Sequence, residues 1–476
     1  MVSKNIYAVA VGSGLLGSAV NALASLGLIW LLNSTLGKAG FGTIILAITV
    51  LEVVTAILAS GFVSVILFRV SRLSDDSLGG PEAIRSMIGT ILFYGVLVAI
   101  LVAIIVAISS NLISSIFDKP ALTYWIYSMS VIVPLDVARR ILVEGCRAQQ
   151  KIQLAVLFGE VVPSLLRATM VGVVFIFTLD ESYVVLAYLI AQTVPVFALV
   201  NILRPKPLIK NSLLSKSDVY YGLKLTLNRL ANEPNRSIDI LMVGALTSAS
   251  VTAEYALASR IAKLLVVVKT AFGRLLVPRL AGGIEEGKFE RINREYGLAR
   301  LFSLIATLIG VVGICAVGPY VLPLFGDYSE AFAILMILAA AMVVRVGVGS
   351  SGGYLNMAGY AGYTLLSTVL GLGINIFLAL LLIPILSASG GALSVLISTV
   401  TIQIMIGLFL WSREQFTVID LASLNAVFLA VILALVAAYS QISSFVIATI
   451  LACISAAYIY SSKNMWEPLL PNRMSK

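Results

Sequence analysis

The sequence predicts an all-α polytopic membrane protein, and three observations predict it. Hydrophobic residues fill 60% of the 476 positions and charged residues only 12%, against roughly half and a quarter in a soluble domain. The mean hydropathy is +1.04. The apolar residues come in blocks of about 20 or more, the length of one bilayer crossing.

Taken in order, these blocks define about fourteen spans, at approximately 6–32, 41–68, 86–110, 121–143, 152–178, 183–203, 218–245, 250–278, 298–322, 330–356, 362–385, 390–411, 420–439 and 443–462. The first begins after Lys4. Ala22-Leu23-Ala24 resembles a signal cleavage site. The run from Ile6 to Leu32 is longer than a signal core of about 7–15 residues, so it reads as a retained span.

Six spans precede "NILRPKPLIKNSLLSKSD" (Asn201 to Asp218), which carries three prolines, several basic residues and no long apolar run. It divides the chain into a six-helix lobe at 1–203, a cytoplasmic linker at 204–217, a second six-helix lobe at 218–411, and two further helices with a tail at 412–476. Two lobes that start on the same side imply a parallel repeat about an axis along the membrane normal. Between the eighth and ninth spans, "GGIEEGKFERINREYGLAR" pairs Glu290 with Arg294 and Arg291 with Glu295 at i,i+4, the pattern of an amphipathic surface helix.

Charge sets the orientation. With the N-terminus inside, 22 Lys and Arg fall in inner loops and only Lys38 and Lys119 in outer ones. The positive-inside rule then puts both termini in the cytoplasm and the protein in the cell (cytoplasmic or inner) membrane. The net charge of +9 is explained by this bias, and no nucleic-acid partner is expected. Outer loops of about ten residues or fewer leave no room for an external catalytic domain, so the protein is not expected to be an enzyme.

The sequence holds no histidine, which excludes His-based triads, proton relays and metal ligands. Cys146, Cys315 and Cys453 are far apart and fit no ligand spacing. Neither a metal nor a cofactor is expected.

One stretch departs from the apolar pattern. "KLTLNRLANEPNRSIDILMVG" (Lys224 to Gly244) places five charges in a span, where each costs roughly 2.5–3.5 kcal/mol near the bilayer centre. At about 100° per residue, Lys224, Asn228, Asn232, Asn235 and Asp239 share an arc of about 80°, with apolar residues opposite. Pro234 is the expected bend point. Two readings stand: Arg229–Glu233 and Arg236–Asp239 can pair internally, or the stripe can line a wet cleft.

Other spans carry charge too. Arg260, Lys263, Thr270 and Arg274 share a face of the eighth. Glu160, Ser164 and Arg167 share a face of the fifth beside Pro163. Asp136, Arg139 and Arg140 approach the inner end of the fourth, Arg345 lies on the tenth, and Glu52 lies mid-way along the second. Intramembrane positions number eight basic residues against six acidic, a net basic lining that favours an anion such as phosphate or pyrophosphate. Lys224, Arg236, Arg260, Lys263, Arg345 and Arg167 are the candidate anion contacts. Asn228, Asn232 and Asn235 suit sugar hydroxyls, with Asn21 of the first span as a further cavity-facing candidate. Asp239, Glu52, Glu160 and Glu254 are the candidate coupling or gating carboxylates. Small residues at i,i+4 along the first span (Ser13, Gly17, Asn21, Ser25) favour close helix packing.

Several motifs carry a resemblance. "LGKAGFG" (Leu36 to Gly42), "GFVSVILFRVSR", "SIDILMVGALTSASVTAEYALASRIAKL", "VPRLAGGIEEGKFERINREY" and "LFGDYSEAFAILMIL" resemble, in order and spacing, the polysaccharide transporter family. That family belongs to the multidrug/oligosaccharidyl-lipid/polysaccharide exporter superfamily. The sequence departs from its pattern at Glu254, where a glycine usually precedes the tyrosine. The resemblance implies a V-shaped pair of lobes around a central cleft. It also implies flipping of a polyprenyl-pyrophosphate-linked oligosaccharide from the inner to the outer leaflet by alternating access. The expected partners are that substrate, the bilayer, a coupling cation (proton or sodium) and other polysaccharide-assembly proteins. The alternatives within the superfamily are a lipid-linked peptidoglycan precursor flippase and a cation-coupled multidrug exporter.

Overall fold

The computed structural model describes residues 4–75, 81–206, 237–273, 276, 289–349, 351–412, 421–439 and 444–462, and among them helix is the only regular structure. The chain divides into two compact units, Met1–Ala253 and Glu254–Lys476. Much of the expected 204–217 linker lies outside the described residues.

The first unit opens with α1, Lys4–Asp75, which is helical throughout except at Gly37 (φ 70, ψ 172). The expected loop between the first two spans is therefore a single-residue break. A straight helix of 72 residues would run roughly 108 Å, several bilayer thicknesses. Gly37 splits it into limbs 4–36 and 38–75, and only glycine takes this positive φ without strain.

α2 is Pro81–Ile108, α3 Ser110–Ile116, α4 Ala121–Met129 and α5 Ile132–Ala148. Hydropathy predicts the fourth span as one helix over 121–143, and Pro134 explains its break. Its missing N–H leaves Ser130 O without the regular donor, and Val133 N serves that carbonyl instead at 3.0 Å. The fifth span runs through α6 (Ile152–Val156), a π turn at Leu157–Val161 and α7 (Val162–Ile176). α8 is Tyr183–Leu203, at the expected residues. Ahead of it the Ser182 amide donates to Asp180 at 2.8 Å and holds that carboxyl below the usual carboxylate range. α9 (Ile238–Leu246) and the start of α10 (Ala249–Leu264) complete this unit.

The second unit holds the rest of α10, α11 (Phe289–Val321), α12 (Ala331–Gly347), α13 (Ser351–Met357), α14 (Ala361–Leu386), α15 (Ala388–Trp411), α16 (Leu421–Tyr439) and α17 (Ser444–Ser461). The expected amphipathic segment is not a separate helix in its described part, because from Phe289 onward it is the first turns of α11.

By length and composition, eight described helices can cross a membrane, and two shorter apolar helices follow at Ser423–Tyr439 and Val446–Tyr460. Two of the remaining expected spans fall short in this measure because they are broken, at 130–131 and 265–266. One of the eight, Val20–Ile66, runs across Gly37 and takes in parts of both limbs of α1.

Burial separates central helices from lipid-facing ones. Residues 41–49 of α1 are buried without interruption, and α12 is buried along most of its length. On α2, Leu97, Ile100, Leu101, Ile104, Ile105 and Ile108 form an exposed apolar stripe, as suits a helix facing lipid. Hydrocarbon solvates such side chains as well as protein does, so packing inside the bundle depends on close fit. Gly95 receives Ile141, and Gly145 receives Ile88, which docks α2 on α5. Hydroxyls satisfy themselves on the preceding turn, as Thr49 does on Ile45 O and Thr90 on Ser86 O.

Candidate functional site

Among the described residues, two cavities lie in the first unit, and Arg139 and Arg140 line both. The smaller, about 110 Å³, is walled by Glu52, Thr55, Asp136, Arg167, Tyr188 and Gln192 among others. The larger, about 380 Å³, adds Ser60, Glu144, Arg147, Gly159 and Glu160.

The centre of the site is on α5, where Asp136, Arg139 and Arg140 fall on one face at i,i+3 and i,i+4. Asp136 accepts from both arginines, at 2.5 Å from Arg139 and 2.9 Å from Arg140. Arg139 uses each arm of its fork. Nε donates to Gln192 on α8 at 2.7 Å, Nη1 to Gly159 O in the π turn at 2.7 Å, and Nη2 to Asp136. One largely buried guanidinium thus joins α5, the π turn and α8. Such a charge is tolerated in a bundle because it is paired and its donors are engaged. Further along α5, Arg147 pairs with Glu144 at 3.0 Å, with its own side chain 43% exposed.

The π turn follows from the sequence Gly159-x-x-x-Pro163. In a regular helix the amide at 163 would serve Gly159 O, but proline has none. Arg139 supplies the missing donor. The Ser164 hydroxyl lies 2.5 Å from Glu160 O and within hydrogen-bond reach of Asn21 Oδ1, which ties this turn to α1. Arg167 donates to Pro163 O at 3.1 Å and lies over the Tyr188 ring, 5.7 Å from its centroid.

The predicted site residues are distributed over both units. Glu52 and Arg167 reach the smaller cavity, and Glu160 the larger. Asn21 sits against Ser164. Regular periodicity puts Glu160, Ser164 and Arg167 on one face. The π turn at Leu157–Val161 lies mostly ahead of them, and Glu160 lines the larger cavity while Arg167 lines the smaller. Asp239 is buried in the first turn of α9, a favourable end for a carboxylate.

In the second unit Arg260 and Lys263 are half-buried on α10 and Arg345 is exposed near the end of α12. Lys269 donates to the Arg345 carbonyl at 2.6 Å. Glu254 is buried, with Tyr328 beside it. Lys224, Asn228, Asn232, Pro234, Asn235 and Arg236 lie outside the described residues.

Asp136, Arg139, Arg140, Glu144, Arg147, Tyr188 and Gln192 belong to the site without having been nominated as contacts from the sequence. The i,i+3 and i,i+4 spacing on α5 was the available signal for the first five. The lining of the two cavities is charge-balanced: Arg139, Arg140, Arg147 and Arg167 meet Glu52, Asp136, Glu144 and Glu160.

Fold and site together define a polytopic membrane protein with a charged, bundle-enclosed cavity. The sequence matches the family described as "Polysaccharide biosynthesis protein" over residues 31–330, and the chain belongs to that family. Its fold is shared with solved structures of the superfamily that the motifs resemble. A lipid II flippase, MurJ, in an inward closed conformation superposes with a TM-score of 0.71, covering 96% of this chain and 100% of that one at 14% identity. A transporter of the same superfamily from Pyrococcus furiosus, described as having a binding pocket of reverse polarity, gives 0.62 at 17% identity, covering 86% and 95%. An outward-facing multidrug resistance transporter of the superfamily gives 0.62 at 16% identity, covering 86% and 95%. No curated protein matches the sequence.

Proposed function

We propose that this protein moves a polyprenyl-pyrophosphate-linked oligosaccharide from the cytoplasmic to the outer leaflet of the cell membrane by alternating access. The observation that carries this reading is membership of the polysaccharide biosynthesis family over residues 31–330. Physical chemistry supports it in two ways. The substrate's anionic pyrophosphate needs guanidinium or ammonium partners in a site shielded from lipid, and its acyl tail needs only the bilayer. In this reading two six-helix lobes, 1–203 and 218–411, are the moving parts.

Within this reading Lys224, Arg236, Arg260, Lys263, Arg345 and Arg167 are the anion contacts. The asparagines of the seventh span contact sugar. Asp239, Glu52, Glu160 and Glu254 are the carboxylates through which a proton or sodium ion couples.

The test is flipping of labelled polyprenyl-pyrophosphate oligosaccharide in proteoliposomes. Arg260→Ala, Lys263→Ala and Arg167→Ala should each slow flipping by about tenfold, the worth of one lost charge-assisted contact. Wild-type rates in all three variants would overturn the assigned anion contacts. Export of cationic dyes without any glycolipid movement would overturn the function itself.

A further inference from the structure

We propose that Arg139 is a positioning residue: by holding the Gly159 carbonyl, it keeps the fifth span's π turn in place and so decides which side chains of that span face the two cavities. Pro163 has no amide proton to donate to Gly159 O, and inside a bundle an unserved carbonyl costs enough to reshape the backbone around it. Arg139 Nη1 reaches that oxygen from α5 at 2.7 Å. Its other two contacts, Asp136 and Gln192, fix the angle from which it does so.

The consequence is rotational. In an uninterrupted helix Glu160 and Arg167, seven residues apart, would point about 20° from each other. The π turn inserts one extra residue between Leu157 and Val162, which turns the helix before it by about 100° relative to the helix after it, and Glu160, inside the turn, takes part of that rotation. Glu160 lines the larger cavity, Arg167 the smaller, and Arg139 borders both. π turns of this kind recur at functional sites, and here the donor that stabilises the turn is itself part of the wall.

The orientation of residue 160 can be read without any transport assay. Glu160→Cys is placed in the full chain with Cys453, the exposed native cysteine, replaced by Ser, and its reaction with a small hydrophilic thiosulfonate is timed. The introduced thiol should react readily. Arg139→Lys, which keeps a charge beside Asp136 but loses the fork, should slow labelling by about tenfold. Pro163→Ala, which gives Gly159 O a donor from its own helix and leaves Arg139 intact, should slow it to a similar extent.

Both changes act through one carbonyl, so the double variant should be no slower than the slower single one. An unreactive thiol at position 160, unchanged labelling in Pro163→Ala, or losses that multiply in the double variant would overturn the proposal. Labelling as expected in a chain that flips no glycolipid would instead remove the proposed function and leave this inference standing.

Discussion

Asp136 shows what a single residue holds together. Its side chain is only 10% exposed, and both carboxylate oxygens bind arginines from one helical turn away. Removing one partner from a buried charge cluster costs about 3–5 kcal/mol, because the remaining charge is stranded. Asp136→Ala should therefore lower the unfolding midpoint in detergent sharply, and Asp136→Asn less so. Glu144→Ala breaks a similar pair whose arginine is 43% exposed and should cost no more than about 1 kcal/mol. Equal shifts in the two alanine variants would show that burial does not govern these pairs. The clustering of Asp136, Arg139 and Arg140 was legible from spacing alone. Their role was not, because Gln192 and Gly159 O come from other parts of the chain, and no local pattern announces which carbonyl an arginine will find.

At the scale of elements, span positions were legible wherever hydropathy is continuous: α8, α14, α15 and α17 lie within a residue or two of their expected ends. Breaks were less legible, since they depend on which donor is lost. Pro134 and Pro163 each break the regular ladder of hydrogen bonds, one at a tightened turn and the other at a π turn. Gly42 illustrates a contact that no periodicity predicts. A Cβ built there would sit 1.8 Å from Ala249 O and 3.2 Å from Ala253 N, so the second limb of α1 meets the start of α10 backbone to backbone. Nearby, Lys119 donates to Gly244 O and to Thr247 O, the latter at 2.8 Å, and so caps the end of α9. Gly42→Ala should force these segments apart at a cost of about 1–3 kcal/mol. Lys119→Ala should weaken the cap by about 1 kcal/mol and Lys119→Arg largely preserve it. Thermal unfolding measures all three, and an unshifted Gly42→Ala midpoint would mean that the contact is looser than described.

For the whole molecule, the side-to-side parity of the spans can be read from contacts inside each unit, with no bilayer present. Charge counting puts the ends of the third and seventh spans on one side, and Lys119 touches Gly244 and Thr247. It puts Arg85 and Lys206 on the other, and the Lys206 amide donates to Arg85 O at 3.2 Å. In the second unit, the start of the ninth span and the end of the tenth are expected together, and Tyr296 donates to Val348 O at 2.5 Å. These contacts agree on which loops share a side, but they carry no information about which side is cytoplasmic. That assignment rests on the 22-to-2 split of basic residues. It predicts that Glu181→Cys, in the loop before α8, reacts with an impermeant maleimide on intact cells. Gln153→Cys, at the start of α6, should react only after permeabilisation. The opposite pattern would invert the orientation while leaving the parity intact. Labelling of both positions from outside would break the parity, because the fifth span would then fail to cross the membrane.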